Sequence, residues 1–150
     1  MIISLRSSYI SSWTQRTLKA NKDLGRKCGI VERWQQYGGK FGIRQDLFGF
    51  IDIIAIDPEQ GIIGIQSTGQ DWAGHVTKIF DKRDIVSKWL EHATLELWSW
   101  RKVKKKRGGK AMIWKARIGD FLLDIDGKLI LNERSSESSE VPHSVGRNAS

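Results

Sequence analysis

Residues 44–68 read RQDLFGFIDIIAIDPEQGIIGIQST. Two apolar runs flank DPEQG, a turn sequence containing proline and glycine, so the segment reads as a β-hairpin. Each run nevertheless carries a polar residue in its middle, Asp52 in the first and Gln66 in the second. Side chains alternate along a strand with period two. Phe50, Asp52, Ile54 and Ile56 therefore share one face, as do Ile62, Gly64, Gln66 and Thr68. If the turn sets Asp57 opposite Gly61, then Ile54 faces Gly64, Asp52 faces Gln66 and Phe50 faces Thr68. The polar side chains meet at the end of the hairpin away from the turn, and a slip of one residue would separate them. A buried carboxylate without a partner is costly. Either Asp52 and Gln66 satisfy each other or cap a neighbouring helix, or they frame a metal site in which a dication takes up the charge.

Working outward, residues 8–24 have helical periodicity, with Ile10, Trp13, Leu18 and Leu24 near one face and Gly25 as a stop. GIVERWQQY (29–37) reads as one strand, with Glu32 and Trp34 on the same face, and GGKFG as a loop. Residues 73–91 are helical in two pieces. TLELWSWRKV (94–103) alternates as a strand, KKKRGGK is a basic turn, and AMIWKARI (111–118) returns as a strand. FLLDIDGKLIL contains Asp126-Gly127 between apolar runs, a hairpin signal. Residues 1–133 read as a single domain. From Arg134 to Ser150 the chain is polar and poor in apolar residues, the composition of a disordered tail. The order of elements predicts an α/β (α+β) domain with a central mixed sheet flanked by helices.

Composition narrows the function classes. The chain has 150 residues, long enough to bury a core without disulfide or metal staples. Its single cysteine, Cys28, allows no intrachain disulfide and suggests no cysteine-based zinc site, which fits a reducing compartment. The start, MIISLRSSYISSW, has no long apolar run, so neither a signal peptide nor a membrane span is expected. The net charge is +8, yet residues 51–100 hold eight acidic residues against four basic ones. A basic chain with an acidic centre suits a polyanion binder whose middle uses carboxylates for another purpose.

The segment RQDLFGFID (44–52), followed by a short turn and a second strand reading apolar-polar-x-polar, resembles the PD-(D/E)XK nuclease superfamily. The likeness is to Holliday junction resolvase-like nucleases and small phage-encoded relatives, and covers roughly residues 8–117. It implies a restriction-endonuclease-like αβββαβ core and a metal-dependent DNA endonuclease, with branched DNA a candidate substrate. Ile51-Asp52 stands where the family has Pro-Asp, and Gln66-Ser67-Thr68 where it has Glu or Asp, any residue, then Lys. By that resemblance Asp52 is the main ligand of Mg2+ or Mn2+, Gln66 a weaker side-chain ligand, and the Ser67 backbone carbonyl completes the set. Gln66 and Thr68 depart from the pattern, losing a carboxylate and a cation. Asp46 and Glu32 are candidates to replace the first, and Lys78 the second. The resemblance further implies a homodimer acting in the cytoplasm of a bacterial or phage-infected cell.

The run Arg101, Lys102, Lys104, Lys105, Lys106, Arg107 and Lys110 contains no acidic residue. It reads as a solvated hairpin tip or as a grip on DNA phosphates. Trp34, Trp98 and Trp114 fall within predicted strands and are expected in the core. Trp72 and Trp100 are candidates for base stacking, and His75 for acid-base work. Two rivals stand beside the nuclease: a nucleic-acid-binding domain that kept the fold and lost the metal site, and an inhibitor or assembly protein whose basic faces bind protein.

Overall fold

A computed structural model of the chain describes residues 10–37 and 41–135. The elements in order are α1 (Ser12–Asp23), β1 (Lys27–Ile30), β2 (Arg33–Tyr37), β3 (Phe41–Gln45), β4 (Ile53–Asp57), β5 (Gly61–Thr68), α2 (Trp72–Asp81), α3 (Arg83–Leu90), β6 (Thr94–Lys104), β7 (Met112–Leu123) and β8 (Leu129–Glu133). Six strands form one mixed sheet in the order β1-β4-β5-β6-β7-β8, and β2 and β3 pair as a separate hairpin. β5 and β6 are parallel, joined by α2 and α3 as a crossover, and the other neighbours are antiparallel. The protein is thus α+β, with a central six-stranded mixed sheet flanked by three helices.

Two apolar clusters lie on opposite faces of this sheet. Ile53, Ala55, Ile63, Ile65, Trp98 and Ile118 pack with Ala20 of α1. Phe50, Leu95, Leu97 and Phe121 pack with Trp72 and Ile79 of α2 and Val86 of α3. The residues that α1 buries are Thr14, Thr17, Ala20 and Asn21, not the large apolar set expected from its periodicity; Trp13 is 40% exposed. Hydrogen bonding explains this face. Thr17 Oγ1 bonds Ser67 Oγ and accepts from Trp100 Nε1, both at 2.8 Å, and Asn21 Oδ1 accepts from Arg26 at 2.7 Å. The helix stops as expected at Gly25, which has φ 84°, a conformation that costs glycine little.

The predicted strand 29–37 is broken in two. Val31 and Glu32 leave the ladder because both N–H groups donate to the Asp52 carbonyl (2.9 and 3.1 Å), and the chain then enters β2. β3 begins inside the expected GGKFG loop, of which residues 38–40 lie outside the described residues. The residues of 111–123, expected as two strands, form the single strand β7. Arg134, expected in the tail, belongs to the fold: it donates to Asp120 (2.8 and 2.9 Å) and to Glu96 (3.1 Å). The rest of the expected tail, from residue 136, lies outside the described residues. Among the described residues no helix is long and apolar enough to cross a membrane.

Candidate metal centre

The β4–β5 hairpin has the register that its turn predicts, Asp57↔Gly61, Ile56↔Ile62 and Ile54↔Gly64. One step further, Asp52 lies beside Gln66, and Gln66 Nε2 donates to Asp52 Oδ2 at 2.5 Å. The Ser67 N–H, whose carbonyl the resemblance assigns to a metal, donates to the same oxygen at 2.7 Å. Asp52 is 3% and Gln66 1% exposed.

Asp46 reaches Asp52 through a tight loop. Leu47 and Ile51 form an antiparallel bridge, so Asp46 and Asp52 are the next positions outward from it. Phe48 (φ 56°) and Gly49 (φ 82°) turn the chain within the bridge. A phenylalanine in the left-handed region costs about 1 kcal/mol or more, a strain kept where it presents two carboxylates side by side. At Gly49 a Cβ would also come within 2.8 Å of the Lys82 side chain. Glu32 enters from the connector between β1 and β2, tied by its own N–H to the Asp52 carbonyl.

Carboxylate oxygens of Glu32, Asp46 and Asp52 all lie within 4.8 Å of one another. Lys78 of α2 sends its Nζ to Asp46 Oδ2 at 2.7 Å. Among the described residues this is the one ion pair in the cluster, with the positive charge of Arg44 also acting on Glu32. The electrostatics follow. Burial, then the hydrogen bond to Asp46 and its charge, push the Asp52 carboxyl up to about 9, against the pull of the Ser67 N–H. Burial also works to raise Asp46, but its hydrogen bonds with Asp52 and Lys78 outweigh that and hold it below the usual carboxylate range. Glu32 is raised by burial, opposed by Arg44 and reinforced by Asp46. At neutral pH Asp52 therefore keeps a proton and shares it with Asp46. Gln66 Oε1 is left buried with no hydrogen-bond partner, a costly state for an amide oxygen.

Of the residues expected at the site, the structure brings together Glu32, Asp46, Asp52, Gln66 and Lys78. Thr68 is buried one row beyond Gln66 on the same strand face, and contributes no charge there. His75 is apart: its Nδ1 bonds the Asp71 carbonyl oxygen at 2.8 Å, beside the Asp71 carboxylate. Trp72 and Trp100 are buried, at 8% and 7% exposure, so neither offers a face to a base. Conversely Trp34 and Trp114, expected in the core, are exposed: Trp34 lies on the separate β2–β3 hairpin, and Trp114 on the part of β7 that extends past β8. A cavity of about 650 Å3 opens beside Glu32, lined by Lys22, Arg33, Trp34 and Arg44 among others. Arg33 and Arg44, to which the sequence reading gave no role, are brought to this cavity by the β2–β3 hairpin, in which Trp34 pairs with Arg44.

Comparison with protein-family models, with curated proteins and with solved structures finds no match.

Proposed function

We propose that this protein is a metal-dependent DNA endonuclease in which Glu32, Asp46 and Asp52 hold Mg2+ or Mn2+. The observation that carries the reading is the convergence of three carboxylates, two from the 46–52 loop and one from the β1–β2 connector, within 4.8 Å of one another, with Lys78 paired to Asp46. The donor set fits the ion: carboxylates and an amide oxygen are hard ligands suited to magnesium or manganese. Gln66 Oε1 fits as well, since it is a buried acceptor lacking a donor. A dication held there supplies Lewis acidity toward a phosphodiester and acidifies water.

The chain's own groups divide the remaining work. Asp52 surrenders the proton it shares with Asp46 when the carboxylates become ligands, and the Ser67 N–H fixes its orientation. The Lys78 ammonium, 2.7 Å from Asp46, provides the cation that the PD-(D/E)XK pattern places at the position of Thr68, beside developing negative charge. Arg33, Arg44 and Lys22 line the cavity next to Glu32 and attract the phosphates of a strand entering there. The same reading carries with it a homodimer suited to a two-stranded substrate and a cytoplasmic place of action.

A second reading is a nucleic-acid-binding domain without catalysis, favoured by the neutral Gln66 and by the buried Thr68. Incubation of branched, flapped and linear DNA with magnesium or manganese, beside an EDTA control, separates the two. Dication-dependent cleavage that disappears in Asp52→Ala supports the nuclease; DNA binding with no cleavage of any substrate by the wild type overturns it in favour of the second.

A further inference from the structure

Strands β6 and β7 pair over ten positions, from Leu95↔Phe121 to Lys104↔Met112. Their other neighbours stop much earlier. β5 accompanies β6 only to Thr68↔Ser99, and β8 accompanies β7 only from Gly119↔Glu133. The Trp100 N–H makes a last tie to the Gly69 carbonyl at 3.1 Å. From Arg101↔Lys115 onward the two strands therefore leave the sheet as a ribbon with both edges open, projecting about 15 Å at ~3.3 Å per residue. A two-stranded ribbon is marginal alone; α1 braces its base, where the Arg16 guanidinium lies 4.0 Å from the Trp114 ring centroid.

The chain has nine basic residues and no acidic one between Glu96 and Asp120. Arg117, at the base, is taken up by Glu133 at 2.5 Å; among the described residues the other eight make no ion pair. Their placement on the ribbon is informative. The register puts Lys102 with Trp114 and Lys104 with Met112 on the α1 face, while Arg101 and Lys115 share the opposite face, that of Leu97 and Gln66. Cations thus point from both faces, and Lys106 and Arg107 occupy the tip. A single strand lying on one face would leave half of these charges unused. A groove walled by phosphates on two sides uses them all. Nor does the ribbon offer stacking platforms, since its only aromatic residue, Trp114, already carries Arg16.

We propose that the β6–β7 arm inserts into the major groove of B-form duplex DNA flanking the cleavage site. Two strands 4.8 Å apart with their side chains fit a groove about 12 Å wide and not one of about 6 Å. Arg101 and Lys115 lie four residues beyond the Leu97↔Gln66 row, about 13 Å along the strands, and two to three strand spacings to the side of Asp52, so roughly 16–20 Å from the carboxylate cluster. The arm therefore holds duplex several base pairs from the phosphate being cut, and the substrate must be double-stranded there. The inference rests on the nuclease reading for the place of the scissile bond, but the affinity it predicts needs no metal and no catalysis.

The test is binding of the full-length protein in EDTA to a 30-base-pair DNA duplex, the same length of single strand and an RNA duplex, across a salt series. Lys104→Ala/Lys105→Ala/Lys106→Ala should weaken duplex DNA binding at least about tenfold at 150 mM salt and flatten the log–log salt slope by about three units. Binding of wild type should also protect guanine N7, a major-groove atom, from methylation, and the triple variant should lose that protection. Arg101→Gln/Lys115→Gln is the second variant, should the triple one misfold by circular dichroism. Unchanged duplex affinity and slope in a folded variant overturn the proposal. So does equal or tighter binding of single strand or of RNA duplex, whose major groove is too deep and narrow to enter, and so does unprotected N7. Cleavage that persists in a variant of unchanged affinity would sink the arm and spare the nuclease; arm-dependent duplex binding by a wild type that cuts nothing would do the reverse.

Discussion

Glu96 and Asp52 are buried carboxylates on opposite faces of one sheet, at 1% and 3% exposure, and they live in opposite circumstances. Glu96, on the α1 face, is saturated with charge-assisted bonds. Its Oε1 accepts from Arg26 (3.0 Å) and Trp98 (2.8 Å), its Oε2 from Arg26 (3.2 Å) and Arg134 (3.1 Å). The two arginines go on to Asp57 and Asp120. Asp52, on the α2 face, accepts from a neutral amide and a backbone N–H, and its other neighbours are two more carboxylates. The first arrangement knots α1, the loop before β1, β6 and the end of β8 together. The second holds a proton where the first has guanidinium groups. Burial is the same in both, so burial alone does not distinguish a structural carboxylate from a ligand; the charge of its partners does.

The comparison breaks most sharply under neutralisation. Asp52→Asn is expected to reduce dication-dependent DNA cleavage to the metal-free background while leaving duplex binding in EDTA within about twofold, since binding is carried by surface cations. Glu96→Gln should keep its activity per folded molecule. Cleavage by pure, folded Asp52→Asn protein at the wild-type rate would remove the metal centre from the argument.

On stability the two sites should respond in opposite directions. Arg26→Met strips Glu96 of its bidentate partner in a buried site and is expected to cost about 3–5 kcal/mol in urea unfolding. Without dication, Asp52→Asn should instead raise the unfolding midpoint at pH 8. A midpoint lowered by both substitutions would show that Asp52 is as structural as Glu96.

The pH dependence sharpens the contrast. The Asp52 carboxyl is raised to about 9 in the folded state, against about 3.9 for an ordinary aspartate. The folded protein therefore binds a proton that the unfolded chain has released, so this contribution to stability is present at acid pH and is lost as pH rises toward 9. Asp46, held low, works in the other sense, but only below the usual carboxylate range. Thermal unfolding without dication should decline between about pH 4 and 9, and Asp52→Asn should flatten the decline. Manganese binding, which must displace the proton, should tighten by roughly tenfold per pH unit until near 9; calorimetry in buffers of different ionisation enthalpy reads the released proton directly.

The smallest effect is expected of Gln66→Glu. It removes the amide donor to Asp52 and adds a carboxylate, so the metal-free protein should lose about 1–3 kcal/mol, and the gain on adding manganese should grow. An unchanged response to manganese would mean that position 66 does not face the ion.

Much of this was legible in the sequence, for reasons that are local. Period-two alternation and the Asp-Pro-Glu-Gln-Gly turn fix the β4–β5 register, and with it the meeting of Asp52 and Gln66. The helical pieces 73–91 and the parallel crossover follow from periodicity and element order, which is why the fold class was readable. Asp46, Glu32 and Lys78 could be named as candidates because the resemblance to PD-(D/E)XK nucleases calls for a carboxylate and a cation that Gln66 and Thr68 do not supply. What the sequence concealed was long-range. That the strand 29–37 breaks at Val31-Glu32 depends on the Asp52 carbonyl, a partner twenty residues away. That α1 buries threonines and an asparagine depends on hydroxyls and guanidinium groups supplied by β5, β6 and the Arg26 loop. That Trp72 and Trp100 are covered, while Trp114 rides on an open arm, depends on where neighbouring strands stop. The sequence by itself determined which residues alternate, turn and carry charge. Only the tertiary structure decided which buried charges are paired, because pairing is settled by the segments that fold against them.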